Sequence, residues 1–117
     1  MISLMQSAIE KLLEDLNHIS LRYQQAREGH QFEFYEDIAP FVAQVDQDVA
    51  SLNLYENQIQ ELPYFNRQKF VRMQSLISDL AVSCHQSTTS KKIFIDRFKA
   101  VQHDLNYLIQ NGGHKDV

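Results

Sequence analysis

The first 26 residues carry an unbroken stripe of apolar side chains, and no other feature limits the fold of this chain as tightly. Ile2, Met5, Ile9, Leu12, Leu16, Ile19, Tyr23 and Ala26 follow one another at spacings of three and four. That is the a/d pattern of an amphipathic helix. Glu, Gln, Asn and Arg fill most positions between. A narrow seam of this length needs a partner surface along all of it, which is the geometry of a helical bundle. Gly29 follows, suited to the left-handed cap that ends a helix.

Three more stripes supply the partners. Phe34, Ile38, Val42, Val45, Val49, Leu52, Ile59 and Leu62 form the second, widened by Phe41 and Tyr55. Pro40 lies inside it, tolerated in a first helical turn but disfavouring helix at Ala39. Two readings follow: a helix starting near Asp37, capped by that residue, or a longer helix kinked at Pro40. The first is preferred, and Pro63 stops the helix. Phe70, Met73, Ile77, Leu80 and Cys84 form the third stripe behind Asn66, a good N-cap. The run from His85 to Ser90 lacks periodicity and reads as a loop. Ser90 or Thr89 then caps a fourth helix striped by Phe94, Phe98, Val101, Leu105 and Leu108, with Gly112 and Gly113 ending it and a frayed tail from His114.

The expected helices therefore run over about 2–28, 37–62, 66–85 and 90–111. Short connections imply antiparallel neighbours. The expected fold is all-α: one up-down-up-down antiparallel four-helix bundle forming a single domain over 1–117. Composition agrees. A chain of 117 residues can bury a core without a disulfide or metal. Three Gly and two Pro are too few for the tight turns of an all-β domain. Cys84 is the lone cysteine, which suits a reducing compartment. The N-terminal residues lack the basic and apolar regions of a secretory signal, and no apolar run reaches the ~18 residues of a membrane span. The cytoplasm is the expected location.

The sequence holds little that points to catalysis or to metal. Di-iron bundles need Glu-x-x-His pairs projecting inward, and the nearest match, Asp15-x-x-His18, falls on the flank of the first stripe. Cys84 and His85 are adjacent, so on a helix their side chains diverge. The remaining histidines match no metal-ligand spacing. Neither a nucleophile elbow nor a phosphate-cradling glycine loop appears. No catalytic residue, cofactor or metal is expected.

Charge is distributed unevenly. Residues 1–62 hold 3 Lys+Arg and 11 Asp+Glu, and residues 63–117 hold 8 and 4, so −8 and +4 sum to the net −4. The plainer meaning is pairing between the two hairpins. The sharper one is a basic face of Arg67, Lys69, Arg72, Lys91, Lys92, Arg97 and Lys99 that binds an acidic partner. Lys91 and Lys92 oppose the dipole at a helix start, a placement that stability does not explain. Leu21, Leu54, Val71, Val82 and Ile95 lie beside their stripes, clustered as a patch or scattered. Phe32, Phe34 and Tyr35 at the first turn, with Tyr64 and Phe65 at the second, are expected to plug the ends of the core.

Tyr23-Gln-Gln-Ala-Arg-Glu-Gly29, then Phe34-Tyr35 and Ile38-Ala-Pro-Phe41, resemble the YppE-like family of small bacterial proteins. Ser90-Lys-Lys-Ile-Phe-Ile-Asp96, with Val101 and Tyr107-Leu108, looks like that family's C-terminal helix. The resemblance covers nearly the whole chain and rests on short motifs. It implies a left-handed up-down four-helix bundle from low-GC Gram-positive bacteria, and brings no activity or site residues. The expected function is a non-enzymatic interaction module that binds protein, itself or another. The alternatives are a bundle binding a small ligand or metal, and weak nucleic-acid association through the basic second hairpin, to which the acidic net charge is opposed.

Overall fold

A computed structural model describes residues 3–111. Ile2, the glycine pair at 112–113 and the expected tail lie outside the described residues. Among the described residues every regular element is helical: α1 (Leu4–Arg27), α2 (Ala39–Ser51), α3 (Glu56–Gln60), α4 (Arg67–Ser83) and α5 (Lys91–Asn111). The molecule measures 45 × 27 × 21 Å, and none of the described helices is long and apolar enough to cross a membrane.

Local chemistry sets the ends. Ser3 accepts from the Gln6 N–H and starts α1. At its other end Gly29 adopts φ +105°, while Gly29 and His30 donate to the carbonyls of Ala26 and Gln25. That is a Schellman cap, which satisfies carbonyls a helix end leaves open. Asn66 accepts from the Lys69 N–H at 2.8 Å, and the Ser90 hydroxyl from the Ile93 N–H at 3.4 Å, so α4 and α5 begin where expected.

The second rod differs from its expected form. Helical backbone begins at Phe34, as a wide π turn over Phe34–Ile38, and passes through Pro40 into α2. Asp37 does not cap the helix from outside. It lies within that turn and reaches back to accept from the Glu33 N–H at 2.9 Å. Pro40 explains the wide turn, because its ring crowds the carbonyl four residues earlier and it has no N–H to donate. The rod is not one continuous helix over 37–62 either. It tightens to 3-10 geometry over Leu52–Tyr55 before α3. Gln74 of α4 donates to the Val49 carbonyl at 3.2 Å, meeting a backbone acceptor at this break.

Met5, Ile9, Leu12, Leu16 and Ile19 of α1 are buried against Val45, Val49, Leu52, Ile59, Phe70, Met73, Ile77, Leu80, Phe94, Val101, Leu105 and Leu108, and Ala26 is buried at the end of the same stripe. The polar cross-links show which rods adjoin. Asp46 pairs with Ser78, while Asn53 pairs with Gln74. Arg27 reaches Thr89 at the start of α5, whereas Tyr64 before α4 reaches Asp104 near its end.

The end plugs are half as expected. Tyr64 and Phe65 pack on Tyr107, and Phe65 is buried. At the other end Phe32 is half-buried against the His85 ring, but Phe34 and Tyr35 do not plug the core. Tyr35 is 84% exposed, touching Phe34 edge-on. Leu21, Leu54, Val71 and Val82 are exposed, while Ile95 is half-buried beside the core.

Candidate functional site

Polar and aromatic groups converge where the end of α1 meets the Cys84–Ser90 connection and the start of α5. Arg22 sits in the last turns of α1, its guanidinium 4.1 Å above the Phe41 ring and 5.4 Å from Phe32. Its Nη1 donates to Nε2 of His85 at 2.8 Å and to the Asp37 carbonyl at 3.4 Å. Arginine has no acceptor. Nε2 of His85 must therefore accept, which leaves the proton on Nδ1. Phe32 and Phe41 meet the imidazole edge-on at 4.8 and 5.5 Å. Burial, and then the neighbouring Arg22 charge, hold the His85 pKa below its usual range.

Cys84 and His85 do not diverge, contrary to the expectation from their adjacency. Sγ lies 3.6 Å from Nδ1, because Cys84 ends α4 and His85, past the helix, folds back. The pair is nonetheless poorly suited to nucleophilic chemistry. Burial pushes the thiol up to about 12, its hydrogen points to the Ala81 carbonyl at 3.3 Å, and the one free imidazole lone pair is already occupied by a cation.

On the other side of α1 lies a groove of about 560 Å³ lined by Tyr23, Gln24 and Arg27 of α1 and by Lys91, Phe94, Ile95 and Phe98 of α5, among others. Its aromatic wall is ordered. Tyr23 and Phe94 stack with ring centroids 3.9 Å apart and planes within 4°, and Phe98 continues the row at 6.1 Å from Phe94. Arg27 lies 5.4 Å over the Tyr23 ring and donates to the Thr89 carbonyl at 2.9 Å. Lys91 is exposed. Glu28 also lines the groove, so Arg27 and Lys91 leave it with net positive charge. Its volume lies in the range of ligand pockets.

The seven basic residues marked in the sequence divide between distant places. Lys91 lines the groove, and Lys99 lies two helical turns on, in the same row as Ile95. Lys92 is tied to Asp96 at 3.0 Å. Arg67 pairs with Glu56 at 3.0 Å and Lys69 stands 3.5 Å over the Tyr64 ring. Tyr64 itself hydrogen-bonds Asp104, 13 residues and about 20 Å along α5 from Lys91. Arg72 and Arg97 are exposed on α4 and α5. The residue that joins Lys91 is Arg27, which the charge count of the second half could not reveal.

A second feature escaped the sequence reading. Asp15, placed there on a flank, is 2% exposed, and Asp48 of α2 is 8% exposed. His18 is exposed. Asp15 Oδ1 faces Lys11 Nζ at 3.9 Å, and Asp48 Oδ1 accepts from Gln44 at 3.1 Å, while Oδ2 of each is buried without a partner among the described residues. Burial, then the neighbouring Asp48 carboxyl and its charge, push the Asp15 carboxyl up to about 8. A signal was present. Leu12-x-x-Asp15-Leu16-x-x-Ile19 and Val45-x-x-Asp48-Val49-x-x-Leu52 share one pattern, each placing Asp between seam positions. Among the described residues no three His, Cys, Asp or Glu come together as a metal-binding group.

Three solved structures are similar to this chain over nearly its whole length. A bacterial domain of unknown function from the DUF1798 family of Staphylococcus aureus subsp. aureus is 29% identical, with 91% of this chain and 93% of that one covered and a TM-score of 0.87. A protein of unknown function from Listeria innocua is 22% identical over 96% and 93%, at 0.88. Protein yppE from Bacillus subtilis is 20% identical over 96% and 94%, at 0.81, in keeping with the YppE-like resemblance of the sequence. No curated protein matches the chain. The family model of the bacterial domain of unknown function DUF1798 matches residues 9–111, and the chain belongs to that family.

Proposed function

We propose that this chain is a non-enzymatic interaction module of the cytoplasm that seats an acidic, apolar-anchored segment of another protein in the groove between α1 and α5. The observation that carries the reading is the groove itself: a stacked Tyr23–Phe94 wall under a rim of Arg27 and Lys91. Buried aromatic anchors supply most of the energy of such contacts, and rim charge selects the partner and speeds encounter. The state of Cys84 and His85 supports a binding role over a chemical one, and a lone buried thiol suits a reducing compartment. The reading takes the four rods as an up-down-up-down antiparallel bundle, left-handed as the family resemblance implies. The reversed order of the Asp46–Ser78 and Asn53–Gln74 bonds supports the antiparallel part. Nucleic acid is the poorer occupant, because the basic residues are dispersed and the net charge is −4.

Photo-crosslinking tests this. A benzophenone amino acid at Ile95 should capture partner peptides in which Asp or Glu flank apolar residues, and one at exposed Leu54 should not. Equal capture at both positions, or capture of this chain's own peptides alone, would remove the proposal.

A further inference from the structure

The buried carboxyls between α1 and α2 stand apart from the groove and carry an inference of their own. Each has one oxygen occupied from its own helix: Lys11 faces Asp15 Oδ1, and Gln44 donates to Asp48 Oδ1. The two oxygens left over, Asp15 Oδ2 and Asp48 Oδ2, are both buried and both without a donor among the described residues. Two carboxylates have only acceptors to offer one another. Were both ionised, two like charges would sit together away from water with Lys11, 3.9 Å from one of them, as their close cation. A single proton removes the whole difficulty. It neutralises one charge and supplies the donor that both leftover oxygens lack, as a charge-assisted O–H···O⁻ bond across the helix seam.

We propose that Asp15 and Asp48 bind one proton between them, and that this proton latches α1 to α2, so that its loss loosens the seam. The groups acting on Asp15 fit this. Asp48 of α2 raises its proton affinity, as does Glu14 on its own helix, and Lys11 opposes them. Neither α4 nor α5 places a described charged group among these influences. The proton is held to about pH 8, so the latch opens on the alkaline side of neutrality.

Two measurements on the full chain decide the matter. The first is the carbon chemical shift of the aspartate side-chain carboxyls, followed from pH 4 to 10. Asp15 should titrate near pH 8 in the wild type, and at least one unit lower in Asp48→Asn, where an amide replaces the shared proton as donor. The second is the urea midpoint from pH 5 to 9.5. From pH 6.5 to about 8, where the folded chain keeps a proton the unfolded chain has lost, it should fall in the wild type and then level off; in Asp15→Asn, which mimics the protonated state, it should stay level from pH 6.5 upward. An Asp15 carboxyl already ionised at pH 6, or an unchanged midpoint in Asp48→Asn, would overturn the proposal. So would parallel pH profiles for wild type and Asp15→Asn. If Asp15→Asn does not fold, the carboxyl titrations of the wild type and Asp48→Asn still decide it.

Discussion

Arg22 donates to His85 at 2.8 Å across 63 residues of sequence, and that one bond fixes the tautomer and charge of the imidazole. A cation on Nε2 leaves that nitrogen nowhere to take a proton. Because burial and Arg22 hold the folded pKa below 6.5, the native state binds fewer protons than the unfolded one on the acid side. The associated stability is present above about pH 6.5 and is lost as pH falls through the unfolded pKa. His85→Gln should show a shallower loss of stability between pH 6.5 and 5 than the wild type, measured by urea unfolding. Arg22→Met should raise the His85 titration midpoint, read from its ring-proton shifts.

The buried thiol is expected to be inert. With its pKa pushed up to about 12 by burial, Cys84 carries almost no thiolate at pH 8. Its reaction with a disulfide reagent should be at least ~100-fold slower in the native protein than in urea. Equal rates would show that the end of α4 opens freely.

The hydroxyl of Tyr23 is buried and meets no partner among the described residues, although its ring stacks on Phe94. Removing an unpaired polar group from such a place relieves a desolvation cost. Tyr23→Phe should therefore stabilise by about 1 kcal/mol, raising Tm by roughly 4 °C. Tyr23→Ala should cost about 3 kcal/mol through loss of the stack and the space left behind. A destabilised Tyr23→Phe would show that the hydroxyl is hydrogen-bonded.

Gly29 adopts φ +105°, and a Cβ there would meet nothing within 4 Å. Gly29→Ala should thus cost about 1–2 kcal/mol from backbone strain alone, readable as a lower urea midpoint with an unchanged m-value.

The four stripes were legible because seam burial is periodic, and periodicity survives in sequence. Caps at Gly29, Asn66 and Ser90 were legible because each rests on a local backbone requirement. Asp37 and the 3-10 break at Leu52–Tyr55 were not. The first depends on how Pro40 widens the turn before it, and the second coincides with a bond from Gln74 on another rod. The site was hidden for the same reason. Arg22 and His85, Tyr23 and Phe94, and Asp15 and Asp48 each join residues 33 or more positions apart, and a stripe on one helix does not say which residue of the next will face it. Arg27 is the plainest case. Counted by half-chains it belongs to the acidic half, yet in the fold it shares a groove with Lys91.

The most direct test of the groove as a working surface is amide and methyl chemical-shift mapping with the segment recovered by crosslinking at Ile95. Shifts are expected to concentrate on Tyr23, Gln24, Arg27, Lys91, Ile95 and Phe98, and binding should weaken at least tenfold in an Arg27→Glu, Lys91→Glu double variant. Shifts centred instead on the exposed Phe34 and Tyr35, with affinity unchanged in that variant, would contradict the assignment.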